Sequence, residues 1–150
     1  MNVLFVCTGN TCRSPMAAGL FEKIVRGKNL KDINILSAGI SADNAYNATK
    51  NAIKACEKLG VDLKNHVSKS IFDVNLGQID RFVVMTNLHR NFLINLGVKN
   101  EKIFVLGEQI SDPFGGSLDI YECCRDQIFD ALRDLAESSD FMSAYEDKNA

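Results

Sequence analysis

The chain has 150 residues, of which 46% are hydrophobic and 24% charged, and this mix excludes disordered, collagen-like and fibrous proteins. The length suits a single domain covering residues 1–150. Because 17 Lys and Arg residues stand against 19 Asp and Glu residues, the net charge is −2 and we expect no binding to nucleic acid. The apolar runs are short, whereas a membrane span needs about 20 residues, so we expect no membrane insertion.

The N-terminus and the cysteines favour a cytoplasmic protein. Met1 is followed by Asn2 and a short apolar run, with no basic leader or cleavage site of a secretory signal. The five cysteines are an odd number, which favours free thiols over a disulfide framework. The two histidines, His66 and His89, lie outside any zinc-binding pattern. We therefore expect a cytoplasmic monomer with no metal ion and no cofactor.

The first half of the chain predicts two strands, each followed by a helix. Residues 3–6 form the first strand, and Ser14 with Pro15 provides a helix cap and a first helical position. Residues 33–36 form the second strand, and a surface loop follows at 41–46. The second helix is expected to begin after a cap at Asn47, with an apolar stripe of Ala48, Ala52, Ala55, Cys56 and Leu59.

The second half of the chain repeats this alternation. We expect the third and fourth strands at residues 82–85 and 102–106. The polar residues 138–150 are expected to form a frayed tail. Ser117 begins the last helix. The apolar stripe of the helix after the third strand is Leu88, Phe92 and Leu96. The apolar stripe of the last helix is Tyr121, Cys124, Ile128, Leu132 and Leu135.

Strands that alternate with helices indicate an α/β protein. We expect a three-layer sandwich, with a central four-stranded parallel sheet and helices on both faces. Ligands of such sheets bind at the carboxyl ends of the strands. The segment that follows the first strand is therefore the first place to look for a site, and it reads Cys7 to Pro15, CTGNTCRSP.

This segment has the features of a phosphate-binding loop. It joins a buried strand to the N-terminus of a helix, where backbone N–H groups and the helix dipole favour an anion. Gly9 and Asn10 tolerate backbone conformations that other residues resist. Arg13 offers a planar fork that matches phosphate oxygens. Cys7 opens the loop, where the same positive ends would lower the pKa of its thiol.

The segment Val6 to Ala17, VCTGNTCRSPMA, resembles the signature of the low-molecular-weight protein tyrosine phosphatase family. The resemblance extends to about Glu137. The segment 37–39, Ser-Ala-Gly, is similar to the exit of the family's second strand, and Asp112-Pro113 is similar to its general-acid loop. Thr11, and the absence of tandem tyrosines after Asp112-Pro113, resemble the bacterial protein arginine phosphatases.

The resemblance implies phosphorylated proteins as substrates and assigns the catalytic roles. Cys7 would attack phosphorus and form a phosphocysteine. Asp112 would protonate the leaving group and then deprotonate the hydrolytic water. The residues expected to hold the phosphate anion are Thr8, Gly9, Asn10, Thr11, Cys12 and Arg13.

The resemblance also implies supporting roles around the loop. Asn10, Ser37 and His66 would brace it by hydrogen bonds, and Ser14 would bond the Cys7 sulfur as well as cap the helix. Cys7 and Cys12 would form a reversible disulfide that protects the nucleophile. Cys56 and Cys124 are expected to be core residues.

Two residues bear on which phosphorylated side chain is the substrate. The hydroxyl of Thr11 would pair with the N–H donors of phosphoarginine, which an aliphatic residue would leave unpaired at about 1–3 kcal/mol. Phe114 would form a wall of the cleft. Phosphoarginine is the favoured substrate and phosphotyrosine the alternative.

Two alternatives come from other functional classes. An arsenate reductase needs further cysteines on a mobile segment, and none occurs between Cys56 and Cys123. A phosphate-binding or redox-sensing module without turnover would not need Cys7, Arg13 and Asp112 together.

Overall fold

A sheet of four parallel strands forms the centre of the computed structural model, which describes residues 1–150. The strands are β1 (Asn2–Cys7), β2 (Asn34–Gly39), β3 (Arg81–Val84) and β4 (Ile103–Val105). Their order in the sheet is β2-β1-β3-β4, and every pair is parallel. The predicted four-stranded parallel sheet is confirmed.

Five helices and three short 3₁₀ turns surround the sheet. The helices are α1 (Arg13–Gly27), α2 (Lys50–Glu57), α3 (Asn87–Asn95), α4 (Leu118–Glu137) and α5 (Ser139–Asn149). The 3₁₀ turns are Ile71–Asp73, Leu76–Gln78 and Asn100–Lys102. None of the five helices has both the length and the apolar character that crossing a bilayer demands.

The central strands β1 and β3 are buried on both faces, which explains why they are apolar without alternation, whereas the edge strand β2 is partly exposed. Val3 and Phe5 of β1 belong to the larger core, to which α1, α2, α4 and α5 contribute. Leu4 and Val6 belong to the smaller core on the opposite face, with Leu93 of α3 and the segment around the first two 3₁₀ turns. The predicted three-layer arrangement is therefore confirmed.

Two helix starts differ from the prediction. α1 begins at Arg13, and Ser14 does not cap it, because the Ser14 hydroxyl is engaged by the Cys7 sulfur and the Asn10 side chain. Asn47 does not cap α2 either; Thr49 does, and its hydroxyl accepts a hydrogen bond from the Ala52 N–H. Ser117 caps α4 as predicted, accepting from Ile120.

The predicted stripe of α3 is wrong at its two ends, while Phe92 between them packs against the smaller core as predicted. Leu88 is 62% exposed and Leu96 is partly exposed, whereas His89 and Leu93 are buried. The ring of His89 accepts a hydrogen bond from the Thr86 N–H just before the helix. This polar contact turns His89, rather than its apolar neighbour, toward the sheet.

The predicted frayed tail is also wrong. Residues 139–149 form α5, and the Ser138 hydroxyl accepts a hydrogen bond from the Phe141 N–H at its start. Phe141 is completely buried, and its ring meets the rings of Phe21 and Phe104 edge-on. Burial of this one aromatic residue and of its neighbour Met142 docks the helix against the larger core.

Candidate active site

The order in which strands are added to the sheet reverses at β1, because β2 lies on one side of β1 and β3 lies on the other. Such a switch point leaves a crevice beyond the carboxyl ends of the two central strands. The loop after β1 lies at this crevice and opens into a cleft of about 180 Å³. The cleft is lined by Cys7, Thr8, Gly9, Thr11, Cys12, Arg13, Asp112 and Phe114.

The Cys7 sulfur lies at the base of this cleft and is surrounded by donors. The Ser14 Oγ lies 2.9 Å from Sγ, and the Asn10 N–H donates to Sγ at 3.3 Å. The Asn10 Nδ2 donates to the Ser14 Oγ at 2.7 Å, which leaves the Ser14 hydroxyl hydrogen for the sulfur. The chain thus places two hydrogen-bond donors on one buried sulfur atom.

Opposing effects act on the pKa of the Cys7 thiol. Burial raises this pKa, while the Ser14 hydroxyl, the Arg13 guanidinium and the Asn10 N–H lower it. The contributions that the sequence predicts are therefore present. The predicted net lowering of this pKa is wrong, because burial outweighs these contributions.

Asn10 holds the loop in shape through every polar group it has. Its φ is +56°, in the left-handed region that Asn tolerates. Its carbonyl accepts from the His66 Nε2–H at 2.7 Å, and its Oδ1 accepts from the Lys69 N–H at 2.8 Å. Burial lowers the pKa of His66, with the bond to Asn10 opposing it, so the ring is neutral at pH 7.

Ser37 is not among the residues that brace the loop. Its side chain makes no hydrogen bond to the loop, and it lies in mid-strand opposite Phe5. The end of the same strand carries the contact instead, because Gly39 lies against the loop backbone. A Cβ at position 39 would lie 2.4 Å from the Thr8 carbonyl oxygen, so only glycine fits.

Arg13 is buried and points across the cleft toward the loop after β4. Its Nη1 donates to the Ile110 carbonyl at 2.9 Å. Its Nη2 lies 3.5 Å from the Thr8 Oγ1 and 3.6 Å from the Asp112 Oδ2. The structure therefore brings Cys7, Arg13 and Asp112 to one cleft, although Asp112 is far from the loop in the chain.

Asp112 and Phe114 form the outer rim of the cleft. The Asp112 side chain is 52% exposed, and its Oδ1 accepts from the Phe114 N–H at 3.1 Å. The Phe114 ring is 71% exposed. Gly115, at φ +81°, turns the chain back, and the Gly116 N–H donates to the Pro113 carbonyl. This turn holds a carboxylate and an aromatic ring beside the entrance.

Thr11 and Cys12 also line the cleft. The Thr11 carbonyl accepts from the Thr49 N–H, which ties the loop to the start of α2. The Cys12 Sγ lies 3.2 Å from the Tyr121 Oη and 3.6 Å from the Thr49 Oγ1. Cys7, Cys12, Cys56 and Cys124 are buried free thiols, and Cys123 is exposed.

Sequence reasoning singled out Gly39 as part of the second-strand exit, but it missed the loop contacts of Thr49, Lys69, His89 and Tyr121. A histidine three residues after Thr86, at the end of a predicted strand, was the one signal that pointed to His89. The other three reach the loop from distant parts of the chain.

The family model for low molecular weight phosphotyrosine protein phosphatase matches residues 2–143. A protein-arginine-phosphatase of Bacillus subtilis is 39% identical over 145 residues, which cover 91% of this chain and 95% of the relative. The low molecular weight protein-tyrosine-phosphatase PtpB of Staphylococcus epidermidis is 30% identical, covering 88% of this chain and 94% of its own.

Solved structures agree with the sequence relatives. A cysteine-to-serine mutant of the YwlE arginine phosphatase with a phosphorylated active-site serine superposes with a TM-score of 0.86 and 36% identity. That match covers 93% of this chain and 95% of the other. A low molecular weight protein tyrosine phosphatase of T. tengcongensis gives 0.85 and 32%, covering 91% of this chain and 98% of its own. The chain belongs to the low molecular weight phosphotyrosine protein phosphatase family.

Proposed function

We propose that this protein is a cysteine-dependent protein phosphatase that removes the phosphoryl group from phosphoarginine in proteins. The observation that carries the substrate assignment is that Thr11, a residue with a hydroxyl side chain, is among the residues that line the cleft. The chemistry follows from the sulfur, the loop amides, the guanidinium and the carboxylate that surround one cleft.

In the first step the Cys7 thiolate attacks phosphorus, and the bond from phosphorus to the leaving nitrogen breaks. The loop from Thr8 to Arg13 holds the three phosphoryl oxygens with backbone N–H groups and the Arg13 guanidinium. Since the Ser14 hydroxyl and the Asn10 N–H favour the thiolate, they assist the loss of the Cys7 proton that must precede attack.

Asp112 supplies and then recovers a proton. Protonated Asp112 gives its proton to the leaving guanidino nitrogen, so that the arginine departs neutral at that atom. The carboxylate then takes a proton from water, which attacks the phosphocysteine and releases phosphate. The half-exposed position of Asp112 at the entrance supports this role, since both leaving group and water reach it.

The cleft suits a polar guanidino group. Phosphoarginine carries N–H donors beside phosphorus, and Thr11 provides an acceptor on the wall where an aliphatic residue would provide none. Phe114 at the rim can lie against the planar guanidinium. The 39% identical relative is named a protein-arginine-phosphatase, which supports the same assignment.

Kinetics on matched phosphoarginine and phosphotyrosine peptides test the proposal. The wild type is expected to prefer phosphoarginine in kcat/KM, and Thr11→Ile to shift this preference toward phosphotyrosine by about tenfold or more. Thr11→Ser is the matched control, because it keeps the hydroxyl and should keep the preference. Dominant phosphotyrosine turnover in the wild type, unchanged in Thr11→Ile, would instead indicate a protein tyrosine phosphatase.

The alternatives from other classes lack support in the structure. Apart from Cys7 and Cys12, every cysteine lies on α2 or α4, so no mobile segment offers the relay that arsenate reduction needs. Hydrolysis of p-nitrophenyl phosphate by the wild type but not by Cys7→Ser would exclude a module that only binds phosphate.

Our proposal extends to the setting of the enzyme. One sheet contains all the strands of residues 1–150, and both cores lie against it, which supports a single domain. Five cysteines are an odd number, which favours free thiols over a disulfide framework and supports the cytoplasm as the compartment. We propose a monomer, which sedimentation at micromolar concentration would test.

A further inference from the structure

Thr8 is the first residue of the phosphate-binding loop, and its hydroxyl has an unusual set of neighbours. The Thr8 Oγ1 lies 2.9 Å from the His89 Nε2 and 3.5 Å from the Arg13 Nη2. A hydroxyl has two acceptor lone pairs and one hydrogen to donate. The direction of these two contacts therefore decides what the Thr8 hydroxyl offers to a ligand.

The state of the His89 ring follows from its other nitrogen. The Thr86 N–H lies 3.1 Å and the Thr86 Oγ1 lies 3.0 Å from the His89 Nδ1. The hydroxyl could donate or accept, but the backbone N–H can only donate, so Nδ1 accepts and is unprotonated. Burial and then the Arg13 charge lower the pKa of His89 to about 4, with Asp112 opposing them. The ring is therefore neutral at pH 7, and its one hydrogen is on Nε2.

Both lone pairs of the Thr8 hydroxyl are consequently occupied. The His89 Nε2–H donates to one, and an N–H of the Arg13 guanidinium, which is always protonated, donates to the other. The hydroxyl hydrogen contacts no protein acceptor, and Thr8 lines the cleft. This hydrogen is therefore available for donation to a group bound in the cleft.

We propose that the Thr8 hydroxyl donates to a phosphoryl oxygen of the substrate, in addition to the loop amides, and that His89 is the positioning residue that fixes this direction. His89 follows β3, which lies next to β1 in the sheet. A residue from the neighbouring strand's end therefore determines the direction in which the Thr8 hydroxyl donates. This inference rests on the proposed function only in that the cleft binds a phosphoryl group.

The role of Thr8 is tested by phosphate binding. Calorimetric titration with inorganic phosphate should show binding at least about tenfold weaker in Thr8→Val, which keeps the shape but lacks the hydroxyl. Thr8→Ser should bind within about twofold of the wild type. Equal binding by wild type and Thr8→Val overturns the proposal.

The role of His89 is tested by a double-mutant cycle. His89→Leu should weaken phosphate binding and lower kcat/KM for p-nitrophenyl phosphate in the wild type, but add nothing in Thr8→Val, because His89 acts through that hydroxyl. His89→Gln, which can present an N–H to Thr8, should recover part of the loss. Ile94→Ala, on the exposed side of α3, is the surface control.

Losses that simply add in the double mutant would show that His89 has a structural role alone. If His89→Leu does not fold, phosphate binding by the Thr8 variants and by His89→Gln still tests the proposal. Neither readout depends on the identity of the leaving group. A preference for phosphotyrosine peptides would therefore overturn the proposed substrate and leave this inference standing.

Discussion

The Ser14 hydroxyl is the nearest side-chain donor to the nucleophilic sulfur, at 2.9 Å. Because this hydrogen bond lowers the pKa of Cys7, Ser14→Ala should raise that pKa and leave less thiolate at neutral pH. Bonds to charged groups contribute about 1.5–3 kcal/mol, so kcat/KM at pH 7 should fall at least about tenfold. The ascending limb of its pH profile should move to higher pH.

Ser139→Ala, on the exposed first turn of α5, is the matched control and should leave the profile unchanged. A Ser14→Ala enzyme with the wild-type pH profile would show that the hydroxyl does not act on the sulfur. A uniform loss at every pH would assign Ser14 to loop shape alone.

The two loop cysteines line the same cleft, and Cys12 has the Tyr121 hydroxyl 3.2 Å from its sulfur. We expect mild peroxide to join Cys7 and Cys12 in a disulfide that dithiothreitol reverses. In Cys12→Ser, the same treatment should carry Cys7 to the sulfonic acid and abolish activity permanently. Intact-mass spectrometry distinguishes the products, and Cys123→Ser is the control.

Recovery of Cys12→Ser activity by dithiothreitol would contradict this protection. So would sulfonic acid at Cys7 in the wild type.

The residues of the site fall into two groups: those within the loop motif itself, and those that reach the loop from distant parts of the chain. Cys7, Asn10, Arg13 and Ser14 belong to one contiguous motif, so local chemistry was enough to predict their place. His89 and Tyr121 meet this motif only because the strand order brings their elements to it. The wrong expectation for the pKa of Cys7 has the same origin, since burial is set by the whole fold.

Among the elements, α5 depends most on a single side chain. Phe141 is completely buried between Phe21 and Phe104, and removal of a buried phenylalanine typically costs about 3–5 kcal/mol. Phe141→Ala should therefore lower the free energy of unfolding by about that amount in urea titrations. Phe72→Ala is the matched control, because Phe72 is 68% exposed and should change stability little.

A Phe141→Ala protein as stable as the wild type would mean that α5 is only loosely attached. This helix also shows why its prediction failed. The apolar residues Phe141, Met142, Ala144 and Tyr145 span little more than one helical turn, so this segment carries too short an amphipathic pattern to predict a helix. α4 has an amphipathic repeat over several turns, and its start was predicted correctly. Four predicted stripe residues are buried, whereas Leu135 is partly buried and the buried Arg125 and Ala136 were missed.

At the scale of the whole molecule, the sheet order concentrates the chemistry at one edge. Cys7 ends β1, the Thr86–His89 turn follows β3, and the loop with Asp112 follows β4. Parallel pairing sends all three segments to the same side. The alternation of strands and helices was enough to predict this edge, but not which side chains would touch across it.

The buried histidine at this edge also links the active site to the acid stability of the fold. The pKa of His89 is about 4 in the folded protein and 6.5 ordinarily, so between these values the unfolded chain binds more protons than the folded one. Stability from this group is complete above pH 6.5 and is lost as the pH falls toward 4, by about 3 kcal/mol in total. His66 shifts in the same direction.

Urea titrations between pH 7.5 and 4.5 measure this linkage in wild type and His89→Gln. The free energy of unfolding should fall more steeply with acid in the wild type, because the variant lacks the titrating ring. His66 is present in both proteins and cancels in the comparison. Lys148 and the Asn2 N–H lower the pKa of Asp80 below its ordinary value of 3.8. The titration of Asp80 therefore affects stability mainly at a pH below the measured range. Equal slopes in the two proteins would show that His89 is protonated as readily in the folded chain as in the unfolded one, and would contradict the lowered pKa of its ring.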